Sequence, residues 1–426
     1  MDVWRKAGCI GLVCALAQGA SAKDASFKDF DSRAKHGDRL TVVFFGASLT
    51  WGANSSDQMT TSYRARMVEK FEAAYPKAHF HFFDGAIGGT GSQLGVFRLD
   101  RDVLTRKPDL VFLDFSANDD IYSKDPEQNA SYESIVRRLV GEAGVPVVQV
   151  IFPFKWNVTK GTTEGMARRD SHLAISKAYG TPCGDAISLA IDRIKSGKTT
   201  ADTLWEYDGV HPGDEGYRLF ADAAWDAYQE GVTSKRVCKV PEKMVYADTY
   251  MTHARVPIAS LFGRDKLPAG WSARNPDPTS ACFDMQMSRW LDELVIGHNR
   301  KPIPAGQKTP AEPQEVAPLK VKFNGSMVLL FGESTMLSGI YRVTIDGKVM
   351  EHMENWKKTD VFDAGGLGKR MGNNAHHCPT VATQLDPAVE HVMEITPLLE
   401  ADKDQTIMLE SICVAGGKAT VVPVTP

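Results

Sequence analysis

The chain has no long apolar run. Nowhere in its 426 residues is there a stretch of the roughly 20 consecutive apolar residues that a membrane-spanning helix needs. The longest candidate, Ala7–Ala17, is too short. There is no CxxC pair, which removes the usual signature of a structural zinc site, and there is no internal repeat or low-complexity tract. There is no basic stripe either. Acidic and basic residues, 53 and 49, are interspersed and leave a net charge of −4, so a phosphate backbone has nothing to track and nucleic acid is not an expected partner. Cysteine is scarce. Beyond the N-terminal segment only Cys183, Cys238, Cys282, Cys378 and Cys413 remain, an odd number, so at least one is unpaired within the chain.

What is present begins with an export pattern. Arg5 and Lys6 precede the apolar Ala7–Ala17, and Ala20-Ser21-Ala22 offers small residues for cleavage. We expect residues 1–22 to be removed after Ala22 and the mature chain to be secreted or periplasmic, without stable membrane insertion.

The length suggests two or three domains. In the first half, strand-like and helix-like segments alternate: strands at Leu40–Phe45, His79–Phe83, Leu110–Phe115 and Val145–Phe152, helices at Tyr63–Tyr75, Ser131–Ala143 and Gly213–Gln229. Such alternation implies a parallel sheet covered on both faces, with ligands beyond the carboxyl ends of its strands. After about Val232 the pattern changes. Asn275–Pro278 and Pro302–Pro318 are rich in proline and polar residues, the latter reading as a linker or long loop. Short β-rich pieces follow at Leu319–Phe323, Ser326–Phe331, Gly339–Ile345 and Thr406–Val414, with Asp346-Gly347 as a hairpin turn. A β-sandwich is their natural packing. The expected division is a catalytic-type domain over 23–235 and a linker region with an accessory sandwich over 236–426.

Three short pieces carry chemistry. Gly46-Ala47-Ser48-Leu49-Thr50 places a serine just past a buried strand, Ser116-Ala117-Asn118-Asp119 ends another strand, and Asp208-Gly209-Val210-His211-Pro212 precedes the last helix of the first half. A serine hydroxyl becomes a competent nucleophile when an imidazole takes its proton, and the imidazole needs an acceptor on its other nitrogen. Asp208, three residues before His211, meets that need from the same loop. The oxyanion formed on attack requires preorganised donors; the Ser48 N–H, a glycine N–H and the Asn118 amide are the candidates. Read singly, Ser48 is equally a helix N-cap, Asn118 a turn residue, and Asp208 and His211 surface groups.

Together, and in this order, the pieces resemble the SGNH, or GDSL-type, hydrolase family over roughly Leu40–Gln229. The serine block is Gly46-Ala47-Ser48-Leu49, with Ala47 where many members carry Asp. The glycine block is Ala86-Ile87-Gly88-Gly89-Thr90-Gly91, its oxyanion glycine falling on Gly89 with Gly88 as the alternative. The Asn block has Ser116 in place of the usual glycine, and the last block supplies Asp208 and His211. Arg98-Leu99-Asp100 and Lys107-Pro108-Asp109-Leu110-Val111-Phe112 resemble secreted bacterial carbohydrate acetylesterases with a C-terminal β-sandwich. The resemblance implies a flavodoxin-like three-layer α/β/α domain followed by a β-sandwich (jelly-roll-like) domain. It implies an acyl-serine intermediate, no cofactor, Ser48, Asp208 and His211 as catalytic residues, and Ser48, Gly89 and Asn118 as the oxyanion hole. An acetylated polysaccharide or oligosaccharide is the expected substrate; a lipid or aryl esterase, and a non-catalytic carbohydrate-binding protein, are the alternatives. The rival α/β-hydrolase elbow needs G-x-S-x-G, whereas Thr50 stands two residues after Ser48.

Weaker features complete the reading. Trp51, Trp156 and Trp205 fall near the same edge, where an exposed indole stacks on a sugar ring and a buried one is core; Trp51 and Trp205 are the candidate substrate contacts. His376-His377-Cys378 reads as a sandwich loop, Arg168-Arg169 as a solvated helix face, and Trp356 as the second domain's one obvious candidate for a ring contact. No metal ligand set is expected.

Overall fold

A computed structural model of the chain describes residues 24–276, 291–301, 311–354 and 357–424. The expected export segment, Cys282, Trp356 and most of the Pro302–Pro318 stretch lie outside the described residues.

The first domain is a five-stranded sheet built from β1 (Arg39–Phe45), β2 (His79–Asp84), β3 (Leu110–Leu113), β4 (Val147–Ile151) and β5 (Cys183–Asp185). The strands lie in the order β2-β1-β3-β4-β5, and every pairing is parallel. β1, β3 and β4 are runs of Val, Leu, Ile and Phe because both faces of this sheet are covered by helices. The main covers are α1 (Phe27–His36), α3 (Tyr63–Ala74), α4 (Ser92–Asp102), α5 (Pro126–Gly141), α6 (Ala167–Tyr179), α7 (Ala186–Lys195) and α8 (Asp214–Thr233). A single turn, α2 (Ser48–Trp51), follows β1 directly. α5 begins five residues earlier than the apolar periodicity suggests. Its start is set by chemistry instead: the Asp125 side chain caps Glu127 N–H, and Pro126 occupies the first turn, where its missing N–H costs nothing. In a sheet of this order the loops after β1 and β3 diverge, and that switch point opens a crevice at the carboxyl edge.

The chain does not leave this domain at 235. Val237–Cys238 pairs antiparallel with Ala25–Ser26, and Glu133, buried in α5, accepts hydrogen bonds from Val245 N and Tyr246 N, both at 2.7 Å. The second domain starts with β6 (His253–Pro257), β7 (Trp271–Arg274) and β8 (Leu294–His298). Three strands of one sheet thus precede the proline-rich stretch in the chain, so the second domain begins ahead of it.

The main strands that follow are β9 (Leu319–Asn324), β10 (Met327–Ser334), β11 (Ile340–Ile345), β12 (Lys348–Val349), β13 (Ala375–His377), β14 (Thr380–Ala382), β15 (His391–Leu398), β16 (Thr406–Ala415) and β17 (Thr420–Pro423). One antiparallel sheet runs β13-β10-β16-β8-β7, with β14 on β10 and β6 on β16; the facing sheet runs β12-β11-β15-β9-β17. Asp346 and Gly347, both at positive φ, close the β11–β12 hairpin.

The first of these sheets is buried on both faces. Val328 and Leu330 of β10 point into the sandwich core, while Met327, Leu329 and Phe331 join the apolar core of the first domain. β8 divides likewise, Val295 inward and Leu294 and Ile296 outward. In β16 Met408 faces the first domain, but past the register shift near Glu410 the outward set becomes Cys413 and Ala415. A one-residue bulge exchanges faces in this way. The period-2 pattern is hidden because both faces are apolar. Thr380 Oγ1 to Gln93 Oε1 at 3.0 Å and Arg101 Nε to Asp292 Oδ1 at 3.3 Å add polar contacts between the domains.

Two domains with one continuous apolar contact should unfold together. Heating the intact chain is expected to give a single calorimetric transition, and Phe331→Ala to destabilise it by about 3–5 kcal/mol without splitting it. Two separated transitions in the wild type would show that the contact does not couple the domains.

Candidate active site

Gly46 ends β1 where the next strand allows no side chain. A Cβ there would lie 2.5 Å from the Asp114 carbonyl oxygen and 2.2 Å from Thr50 Oγ1. The chain then turns sharply through extended Ala47 into α2, whose first residue is Ser48. Gly52, at φ 98°, closes the turn. Arg64 holds the end of α2: its Nε donates to Thr50 O at 3.0 Å and its Nη2 to Trp51 O at 2.9 Å, while Asp84 pairs with it at 3.2 Å.

His211 reaches Ser48 from the loop before α8, with Nε2 3.0 Å from Ser48 Oγ. Asp208 Oδ2 stands 3.4 Å from His211 Nδ1. The carboxylate is fixed by other donors: Val210 N at 2.6 Å and His211 N at 2.7 Å on Oδ1, and Asn54 Nδ2 at 2.8 Å on Oδ2. With Nδ1–H directed at Asp208, Nε2 is left to accept from the serine. Two further bonds hold the loops on either side of this pair: Tyr217 Oη donates to Ala53 O at 2.6 Å and Ser56 Oγ to Asp214 Oδ2 at 2.6 Å. Burial lowers the His211 pKa from its ordinary 6.5, and the pull of Asp208 only partly opposes it. For Asp208, burial raises the pKa, but the His211 and Val210 N–H groups, the His211 ring and Asn54 outweigh it and the net shift is downward.

Gly89 and Asn118 sit at the same edge of the sheet. β1 pairs Phe44 with Asp84, the last residue of β2, and Phe45 with Leu113, the last residue of β3, so the loops leaving all three strands start level. Gly89 lies in an exposed turn at φ 75°, a conformation that favours glycine. Ile87 N donates to Gly46 O at 3.1 Å, linking this loop to the serine turn. Arg98 lies beneath both. Fully buried, it donates to Gly85 O at 2.5 Å and to Gly46 O at 2.8 Å. Asn118 is half-buried. Ser116 adds a tie where glycine is usual: its Oγ donates to Asp114 Oδ1 at 2.7 Å and accepts from Phe152 N at 2.9 Å, joining the ends of β3 and β4. Arg168 supports the turn from behind through Asp119 O at 3.2 Å. Desolvation pushes the carboxyl of Asp114 up to about 7 and that of Asp119 up to about 6.

Several expectations need correction. Trp205, a candidate sugar contact, is 1% exposed and packs edge-on against Phe220; it is core. Trp51 is half-buried beside Ser48, whereas Trp156, 48% exposed, lies against Gly209 in the histidine loop. Arg168 is buried rather than solvated, because the carbonyls of Asp119 and Asp125 and the side chains of Asn129 and Gln128 surround its guanidinium. His376 and His377 form a paired strand, not a loop. Arg64, Asn54 and the supporting role of Arg98 were not legible, since each acts across a distance that no local pattern encodes. Among the described residues no group of three or more His, Cys, Asp or Glu is arranged to hold a metal, no helix is long and apolar enough to cross a membrane, and Cys183, Cys238, Cys378 and Cys413 are free thiols.

Residues 44–219 match the GDSL-like lipase/acylhydrolase family. No curated protein matches the chain by sequence. Among solved structures, the chain is similar to a two-domain esterase active on acetylated mannans, crystallised with mannopentaose: TM-score 0.67, 19% identity, 92% of this chain and 95% of that chain. The same esterase in a second crystal structure gives 0.62 at 19% identity, with the same coverage. An acetylxylan esterase from Geobacillus stearothermophilus overlaps 46% of this chain and 96% of its own at 22% identity, with a TM-score of 0.37. The two-domain likeness is one of fold, and the family match falls on the segment that carries Ser48, Gly89, Asn118, Asp208 and His211. The likeness to the GDSL-like lipase/acylhydrolase family is thus a match of residues 44–219, the part of the α/β domain that runs from β1 into α8.

Proposed function

We propose that this chain is an exported serine esterase that removes O-acyl groups, acetyl foremost, from carbohydrate. The observation that carries the reading is the 3.0 Å approach of His211 Nε2 to Ser48 Oγ, with Asp208 on the far side of the ring. In the first half-reaction His211 takes the serine proton as Oγ attacks the ester carbonyl. The oxyanion is met by the Ser48 N–H, the Gly89 N–H and the Asn118 amide. Collapse of the tetrahedral species expels the sugar hydroxyl, which regains the proton from His211 and leaves acyl-Ser48. Water, activated by the same imidazole, then releases the carboxylate. No step draws on a cofactor.

Support for a glycan substrate comes from two directions. The two-domain mannan esterase shares the whole architecture, and Trp156 presents a half-exposed indole beside the histidine loop, where a pyranose face can stack.

Ser48→Ala should fold normally, lose acetate release from acetylated mannan or xylan by about 10⁴-fold or more, and escape labelling by a serine-directed phosphonate. Undiminished release would end the assignment. A steeper rate on long-chain than on acetyl p-nitrophenyl esters would instead favour a lipid esterase.

The lowered His211 pKa fixes the sign of the pH dependence. The imidazole must be neutral to act as base, so the acid limb of kcat/KM should fall below pH 6.5. Asp208→Asn removes the group that raises the histidine's pKa, so it should move that limb lower still while cutting kcat by on the order of 10²–10⁴. A pH–rate profile of both proteins checks this.

Trp156→Ala should raise KM for acetylated oligosaccharides by about three- to tenfold, the worth of roughly 1 kcal/mol of ring contact, and leave p-nitrophenyl acetate hydrolysis nearly unchanged. Equal losses on both substrates would assign the indole to support of the Gly209 loop instead.

A further inference from the structure

We propose that His376, carried by the second domain, is a positioning residue for acyl transfer in the first, holding the Gly89 turn in the conformation that presents its N–H to the oxyanion. The inference rests on the reading of Ser48 as nucleophile and Gly89 as oxyanion donor.

β13 pairs with β10 in a register that sets Glu333 opposite His376 and Gly332 opposite His377. Neighbouring residues on a strand face opposite ways. His377 turns into the sandwich, its Nε2 2.7 Å from the Tyr341 hydroxyl. His376 turns towards the first domain and is 4% exposed. Its Cε1 and Nε2 lie 3.1 and 3.5 Å from the point where a Cβ on Gly89 would stand, so the ring fits against a glycine and would crowd any larger residue. It also hydrogen-bonds the Gly89 main chain. That bond favours the protonated ring, so the ring is the donor and the Gly89 carbonyl the acceptor.

The turn needs such a support. Ile87 N to Gly46 O and Thr90 Oγ1 to Ile87 O, 3.1 and 2.7 Å, tie the loop on both sides of Gly88-Gly89. Gly89 itself, exposed and at positive φ, has the widest conformational choice of any residue type. The imidazole is delivered by a rigid element: Met327, Leu329 and Phe331 cement β10 to the first domain, and Asn374 Nδ2 donates to Glu333 Oε1 at 2.7 Å beside the ring's own strand. Burial, reinforced by Arg98, pushes the His376 pKa down to about 4, so at neutral pH the ring holds the turn as an uncharged donor.

The full-length chain tests this with two substitutions. His376→Phe keeps the bulk and removes the donor; His376→Gln keeps a donor near Nε2. The first should lower kcat on p-nitrophenyl acetate by about 10–100-fold, less than the 10²–10³ typical of deleting an oxyanion donor outright, with KM changed by no more than about twofold and the phosphonate labelling rate of Ser48 reduced in step. The second should restore most of kcat. Wild-type kcat in His376→Phe would overturn the proposal. So would equal loss of kcat in both variants alongside equal loss of melting temperature, which would reduce His376 to packing. If wild type is not labelled at Ser48 at all, the parent reading fails, an outcome separable from either.

Discussion

The carbonyl of Gly46 accepts two hydrogen bonds, from Ile87 N and from Arg98 Nη2, and the arrangement of the site follows from that meeting. A buried guanidinium loses several kcal/mol of hydration and is tolerated only where its donors are well matched. Arg98 is matched by Gly46 O, Gly85 O and Asp102, with the Phe45 ring 4.3 Å from its charge. The same bonds join the first residues beyond β1 and β2 into one unit. Ser48 is two residues from Gly46 along one branch, and Gly89 is two residues from Ile87 along the other. The serine turn and the Gly89 turn thus share a rigid base, the kind of preorganisation that the proposed acyl transfer would demand of its donors.

The opposite side of the site is built on different terms. Asp208 has 45% of its side chain exposed and His211 15%, and at 3.4 Å in partial contact with water their Coulomb attraction is modest. What Asp208 supplies is direction. Two N–H groups of its own loop and Asn54 fix the carboxylate, and the carboxylate fixes which imidazole nitrogen carries the proton. The buried carboxyls of Asp114 and Asp119 are the converse case. They meet little water, their pKa values rise, and their hydrogen bonds to Ser116 and Ser92 shape the turns around Asn118.

The sequence pointed to Ser48, Asn118, Asp208 and His211, the first, third and fourth of which the structure brings together, because each falls at a strand end or in a loop of distinctive composition, and the alternation of strands and helices located those ends. It showed β1 and β3 for the same reason: short apolar runs stopping at Gly46 and Asp114. It did not show that β8, β10 and β16 are covered on both faces, because a strand with no polar side loses the alternation from which a face is read. The choice between linker and long loop for Pro302–Pro318 stayed open for the same reason, since β6–β8 were not recognised as strands of the sandwich. Trp205 and Arg168 were misread through one shared gap. Burial of a large side chain is decided by tertiary neighbours, Phe220 in one case and a cage of oxygens in the other, and neither neighbour is near in sequence.

The shared core bears on what the second domain is for. A binding module tethered by a flexible linker can raise the local concentration of a substrate, yet it cannot fix an atom beside a reacting bond to within a fraction of an ångström, because the linker leaves it free to move. Here the outward faces of β8, β10 and β16 are continuous with the apolar interior of the hydrolase domain, so the sandwich is held as firmly as one of that domain's own layers. A strand carried on such a sheet can place a side chain with the accuracy a catalytic turn requires, and β13 does place one against Gly89. The accessory domain is in that sense part of the wall of the site. The α/β domain is completed in this chain from outside, and the two sheets of the sandwich supply the stiffness that lets the second domain act at that range.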